Sequence, residues 1–217
     1  MMELRNKLLQ IAALSVEPDS LPEAFDKTAV CLLNRCRLVI GKEVFRLQEV
    51  EFYFSSEHYG HVDPYSHSNL FRNCVRQGEF AVWYFHRFKS AATYPRQKFR
   101  GLDLTIGNKD NDVFGGILLR TIQSESLTID GPGKIVSHLE TVLGVTEIER
   151  LAAASGETGF HPMEPLKIEA TESRNLTVFK SRRVLPKPNR PEKNAWFDKK
   201  LRYYIDTEIE VVQNDKE

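Results

Sequence analysis

The segment Glu49-Val50-Glu51-Phe52-Tyr53 sets two carboxylates and a phenol at alternate positions of an aromatic, β-branched stretch. Successive strand side chains point to opposite faces, so Glu51 and Tyr53 share one face. A carboxylate there can accept a proton from water and face a developing cation, and an aromatic ring beside it can stack on a planar ligand. The same pattern fits an outward-facing glutamate, with Leu47, Glu49, Glu51 and Tyr53 alternating as one polar face, and a tyrosine that packs in the core. A second aromatic run, Phe80 to Phe88, places Tyr84 and His86 on one face, opposite Trp83 and Phe85. Either pair can wall a ligand site or fill a core. Arg120 ends the apolar run Gly115 to Leu119, and a buried arginine needs a partner. Asp103, between Leu102 and Leu104, is either a second carboxylate of a site or that partner.

Other chemistries lack their residues. No Gly-rich loop follows a strand as a phosphate cradle requires, so nucleotide hydrolysis and dinucleotide binding are not expected. His58-Tyr59-Gly60-His61 lacks metal-ligand spacing, and no metal or cofactor is expected. The cysteines, Cys31, Cys36 and Cys74, are few and odd in number; they indicate reduced thiols in a bacterial cytoplasm or, in a eukaryote, a nucleus. No apolar run approaches the roughly 18 residues of a membrane span.

Thirty basic residues balance thirty acidic ones, which by itself speaks against a nucleic-acid partner. Their distribution is uneven. Arg72, Arg76, Arg87, Lys89, Arg96, Lys98 and Arg100 face only Glu79 between Leu70 and Gly101, and nine bases stand against Glu192 and Asp198 between Lys180 and Arg202. Such asymmetry can give a neutral molecule one positive face, or simply a solvated charged surface. Arg96, Lys98 and Arg100 are the candidates for phosphate contact, with a solvated loop as the alternative.

The elements that must position these groups are mixed. Met1 to Leu14 has helical apolar spacing; Ser20-Leu21-Pro22-Glu23 reads as a capped helix start, and Asp26 as the cap of a further helix, Lys27 to Cys36, with Val30, Leu32 and Leu33 inward. Arg37 to Ile40, the turn Gly41-Lys42 and Val44 to Tyr53 form a hairpin. Strands are expected at Phe80–Phe88, Gly101–Gly107, Gly115–Ile122, Leu166–Ala170, Thr177–Phe179 and Lys200–Ile205, and a helix over Lys134–Leu143 after Asp130-Gly131-Pro132-Gly133. A basic, Pro-rich loop spans Leu185 to Pro191, and Val212 to Glu217 is an acidic tail. The fold class is α+β: a largely antiparallel, curved sheet flanked by helices, in one domain. Residues 1–24 form an N-terminal helical segment, 25–207 the main body and 208–217 the tail.

Several of these segments, in this order, resemble the alkyladenine (3-methyladenine) DNA glycosylase family. Glu49 to Tyr53 resembles the strand that carries that family's catalytic glutamate and, two residues on, its base-stacking tyrosine. Ala29 to Leu33 with Leu38 to Ile40, Ser66-His67-Ser68, Gly115 to Arg120, Asp130 to Lys134 and Leu201 to Tyr204 are similar to further family segments, so the likeness spans about Phe25 to Ile205. Between His67 and Leu104 the chain departs from the family pattern. The resemblance implies a monomeric, monofunctional DNA glycosylase acting on duplex DNA with an alkylated or deaminated purine. Glu51 activates water, Tyr53 stacks on the flipped base, His67 donates a hydrogen bond to base or phosphate, and Arg120 lies near the pocket; Tyr84, His86 and Asp103, read from the residues alone, are the further candidates to line it. No lysine stands where the resemblance would place an amine nucleophile, so an intact abasic strand is the expected product. The alternative is a diverged binder of nucleic acid or nucleosides without turnover; a hydrolase of free nucleosides is a third reading.

Overall fold

A computed structural model describes residues 2–66, 78–86, 101–145, 154–156, 158–188 and 190–206. Among them the helices are α1 (Met2–Ala12), α2 (Leu21–Arg35), α3 (Pro132–Leu143) and α4 (Pro191–Phe197). The strands are β1 (Cys36–Ile40), β2 (Glu43–Ser56), β3 (His61–Val62), β4 (Phe80–Phe85) and β5 (Leu102–Ile106), then β6 (Phe114–Gln123), β7 (Thr128–Asp130), β8 (Leu166–Ala170), β9 (Val178–Ser181) and β10 (Arg202–Ile205). The strands form one curled sheet, with the order β4-β5-β6-β2-β1-β8 and antiparallel pairs throughout. The class is α+β, as its composition of elements predicts.

The long strand β2 organises the sheet. One edge pairs along its length with β6; the other is shared end to end by β1, β10 and β3. Its inner face carries Phe45, Leu47, Val50, Phe52 and Phe54, all buried. These meet Leu4, Leu8 and Ile11 of α1, Phe25, Ala29 and Leu32 of α2, and Ile135 and Leu139 of α3 in one core. Residues 1–24 are therefore not a separate layer in the packing: α1 belongs to this core, and residue 24 falls inside α2.

Leu47 and Val50 both face the core although they are three residues apart. The register slips between Leu47 and Glu49 and again before Val50, so Gln48 is extra on β2 and Arg120 is skipped on β6. This bulge shifts the phase of the alternation. It corrects the reading of Leu47, Glu49, Glu51 and Tyr53 as one continuous face: Leu47 belongs to the core, and the polar face begins after the slip. A second irregularity, with Ala81 at φ 57°, sets the phase of β4, burying Trp83 and Phe85 in the core and turning Tyr84 and His86 to the opposite side.

The helix region differs from expectation in detail. Leu21 to Arg35 is one continuous helix, so Asp26 is not a cap; its carboxylate accepts a 2.7 Å hydrogen bond from the Tyr203 hydroxyl, tying α2 to β10. Ser20 stands at the N-cap without a side-chain cap bond. Val30 is 41% exposed, and Ala29, Leu32 and Leu33 supply the inner face. Between the expected basic loop, Leu185 to Pro191, and the last strand stands α4, begun by Pro191 in the first turn, where its missing N–H costs nothing. The acidic tail lies outside the described residues.

At Gly115 β6 packs closely against β2. A Cβ there would stand 2.8 Å from Phe54 Cδ2 and 3.0 Å from the Tyr53 carbonyl oxygen. Gly115→Ala is expected to destabilise the chain by about 1–3 kcal/mol through overpacking, read as a lower urea midpoint at constant slope. An unchanged midpoint would show that the two strands can part without loss.

Candidate active site

Behind the core, the sheet presents a second, polar face. Its central row is fixed by register: Arg202 lies opposite Glu51, Glu51 opposite Leu118, Leu118 opposite Asp103 and Asp103 opposite Tyr84. The next row runs Tyr53, Gly116, Thr105. The sequence-predicted residues Glu51, Tyr53, Tyr84, His86, Asp103 and Arg120 therefore share one face, drawn from β2, β4, β5 and β6 and the residue that follows β4. His67, Arg96, Lys98 and Arg100 lie outside the described residues.

Glu51 is fully buried. Its Oε1 accepts from the Val184 amide at 2.7 Å, and its Oε2 from the Tyr53 hydroxyl at 2.9 Å and from Arg120 Nη1 at 3.4 Å. Burial raises its pKa above the usual carboxylate value, outweighing the opposing pull of Arg120, the Val184 amide and the Tyr53 hydroxyl. A carboxylate in that condition is a stronger proton acceptor than an exposed one. Tyr53 is pushed well above the normal phenol range, first by burial and then by the Glu51 charge, so it stays a neutral donor.

Glu49, two residues away, is held differently. Arg202 grips it with Nε at 2.6 Å and Nη2 at 3.0 Å, and Arg120 Nε adds a bond of 2.7 Å. Arg120 thus spans both glutamates, which is the ion-pair role of the two that the sequence left open. Asp103 is not its partner: Asp103 Oδ1 meets His86 Nε2 at 2.8 Å. Tyr84 is almost buried, its ring 5.3 Å from the His86 ring.

Arg183 completes the site, and sequence reasoning counted it only as one base in a basic stretch. Its side chain is wholly buried and paired with both oxygens of Asp63, also fully buried. It donates to the Phe52 carbonyl at 3.0 Å and lies over the Tyr53 ring at 4.6 Å, a cation–π contact. One face of Tyr53 is therefore already taken by a cation. The neighbouring residue, Val184, supplies the amide that holds Glu51. A sequence signal for this existed in Arg182-Arg183-Val184, two bases abutting a β-branched residue after a strand, but nothing in it distinguishes the buried arginine from the exposed one.

The remaining histidine pattern is structural. His61 packs against Trp196, Phe25 and Phe54 with ring centroids 4.7, 5.6 and 5.8 Å away. Burial, aided by Lys199 and Arg183, lowers its pKa to about 3, so it is neutral. Among the described residues no group of three or more His, Cys, Asp or Glu is placed to hold a metal ion, and no helix is long and apolar enough to cross a membrane.

The Arg183–Asp63 pair carries a direct consequence. Arg183→Met takes both guanidinium bonds away from the buried Asp63 carboxyl and is expected to cost about 3–5 kcal/mol. Arg183→Met with Asp63→Leu should recover much of that loss, measured as a denaturation double-mutant cycle. A single substitution costing under about 1 kcal/mol would mean the pair is hydrated in solution.

No family model matches the chain. Uncharacterized protein L759 of Acanthamoeba polyphaga mimivirus is 30% identical to it, the alignment covering 83% of this chain and 85% of that protein. An identity of this level over most of both chains makes the chain a member of the same family as the mimivirus protein L759.

Proposed function

We propose that the chain is a monofunctional DNA glycosylase of the alkyladenine type, with Glu51 as the general base. The observation that carries this reading is the state of Glu51: a fully buried carboxylate, fixed by three donors, its pKa raised by burial, beside the ring of Tyr53. Hydrolysis of an N-glycosidic bond builds positive charge on the sugar as the base leaves. Glu51 accepts the proton of the attacking water and its charge faces the cationic sugar; Arg120, within reach of the same oxygen, holds the carboxylate in place. The base, flipped from the duplex, stacks on the face of Tyr53 that Arg183 leaves uncovered. Water is the nucleophile, so the strand is left abasic and unbroken.

The charge near the site supports a DNA partner. Arg182 and Arg190 have side chains 64% and 70% exposed, on the same segment whose Val184 amide holds Glu51. Lys193 and Lys199 of and beyond α4 lie over the rings of Tyr65 and Trp196, at 4.8 and 3.6 Å. Such cations meet phosphates without reading sequence, and the affinity they give falls steeply with salt.

The test is base release from duplexes carrying hypoxanthine, ethenoadenine or methylated purines, followed by alkali to reveal abasic sites. Glu51→Gln keeps the shape and is expected to lower release by about 10²-fold or more while DNA affinity persists. Because Glu51 must be ionised to act, wild-type release should rise with pH to a midpoint above 4.5, the ordinary glutamate value. Persistence of release in the variant sinks the mechanism; salt-dependent binding without release from any duplex favours the non-catalytic binder.

Stability should move the opposite way. A raised folded-state pKa means that ionising Glu51 costs stability as pH rises from the unfolded value through the folded one. Glu51→Gln is therefore expected to be more stable than wild type at neutral pH, on the order of 1 kcal/mol. The difference should vanish in acid, where wild-type Glu51 is protonated; thermal melts across pH measure it.

A further inference from the structure

The stretch that covers Glu51 carries more cations and rings than that task needs. From Lys180 to Arg202 nine bases stand against Glu192 and Asp198. Lys180, Arg183 and Arg202 are committed to Asp26, Asp63 and Glu49. Arg182, Lys187, Arg190, Lys199 and Lys200 are exposed. The two acids do little to neutralise them. Asp198 stands 3.7 Å from Arg182 and Glu192 3.9 Å from Arg190, and both pairs are open to water, where such contacts are weak.

Half-buried rings are interleaved with these cations. Lys199 Nζ lies 3.6 Å from the centre of the Trp196 ring, and the Arg182 guanidinium 5.4 Å from that of Phe197. Trp196 is steadied by a T-shaped contact with His61 at 4.7 Å. Lys193, one turn before Trp196 on α4, lies 4.8 Å from the centre of the Tyr65 ring and ties the helix to that loop. A partner made of phosphates alone would need only the cations. A bilayer surface would call for protruding apolar side chains, and within this stretch Val184 is the large apolar residue that is exposed. A duplex shows phosphates but keeps the faces of its bases stacked inside. An unpaired strand offers both, a phosphate for each cation and beside it a base face for a ring. Cation–π pairs at a surface are weak, so a cation that leaves its ring for a phosphate uncovers the ring for the neighbouring base.

We propose that α4, with the cations that flank it, is a binding surface for an unpaired nucleic-acid strand. Trp196 and Phe197 stack on its bases, while Lys199 and Arg182 pass from ring to phosphate and Lys200 adds a further phosphate contact. This goes beyond the glycosylase reading, in which the same cations meet the phosphates of a duplex and the rings have no part. It concerns ordinary bases and requires no bond to break, so it stands or falls separately from base release.

Tryptophan fluorescence provides the test. The chain has two tryptophans, and Trp83 is fully buried in the core, so a base stacking at the surface is read by Trp196. The full chain is titrated with single-stranded oligothymidylate, with a strand of abasic sugar phosphates of equal length, with the oligothymidylate paired to its complement, and with vesicles containing phosphatidylserine. Oligothymidylate is expected to quench the fluorescence and to bind about 10-fold or more tightly than the other three. Trp196→Ala, followed by the anisotropy of labelled strands, should weaken oligothymidylate by about 10-fold and leave the base-free strand unmoved. Lys200→Gln, which removes a phosphate contact alone, should weaken both strands alike. If Trp196→Ala does not fold, Phe197→Ala supplies the same comparison of the two strands. Equal affinity for the base-free strand, tighter binding to duplex or vesicles, or oligothymidylate binding without quenching or not at all overturns the inference and leaves the glycosylase reading as it was. Quenching by oligothymidylate in a chain that releases no altered base supports the inference and defeats that reading.

Discussion

Two carboxyl groups on one covered face of a strand set the terms for everything around them. Glu49 and Glu51 project from β2 on the side away from the core, and both are buried, where a polar group is costly without hydrogen-bond partners. Their donors come from three distant pieces of chain: Arg120 from β6, Arg202 from β10, and the Val184 amide from the segment after β9. The outcome for each glutamate differs. Glu49 is gripped by two guanidinium groups at close range, while Glu51 has one at 3.4 Å plus two neutral donors, so burial dominates its pKa. Environment alone thus sets two glutamates two residues apart in different electrostatic states, the same logic by which paired carboxylates elsewhere divide acid and base duties.

The paired slips in β2 and β6 make that division possible. An uninterrupted alternation from Leu47 would put Val50, Phe52 and Phe54 on the outer face and the glutamates into the core, a loss of several buried apolar side chains at about 1.5–3 kcal/mol each. The extra residue Gln48 resets the phase. It bonds through Nε2 to Gln123 of the partner strand at 2.6 Å, so the bulge is held by a cross-strand bond as well as by Glu49 and Arg120 beside it. A bulge next to a cluster of charged groups re-aims side chains while the backbone ladder continues on both sides.

Much of this was legible in the residues, for identifiable reasons. Strands with clear period-two pattern, such as Leu166–Ala170 and the β1–β2 hairpin, stand where the alternation put them, and Tyr84 and His86 do lie opposite Trp83 and Phe85. What failed were features decided by tertiary contact. Asp26 has the chemistry of a cap yet sits within α2, because Tyr203 and Lys180 offer it partners there. The phase slip at Gln48 leaves no local mark, since Gln is ordinary at either face. The role of Arg183 depends on Asp63, 120 residues earlier in the chain, and no window of sequence contains both. The same holds for Asp103: whether it met Arg120 or His86 was a matter of register across three strands.

Core and site are two faces of the same strands, and this constrains how the site can vary. Every second residue of β2, β5 and β6 is committed to packing, so the spacing of Glu51, Leu118 and Asp103 is set by the strand ladder, which the core holds rigid. Substitution at the outward positions changes chemistry without changing distance. The cover is different in kind: Arg183 and Val184 reach the site from a connection between β9 and α4, and fix Tyr53 and Glu51 through one guanidinium and one amide. Because Arg183 is itself anchored by Asp63 and the Phe52 carbonyl, this connection is tied to the far side of β2. Any movement that lifts it from the sheet must break a buried ion pair and release the Glu51 carboxylate together, so the geometry of that carboxylate and the closure of its cover are held by the same few bonds.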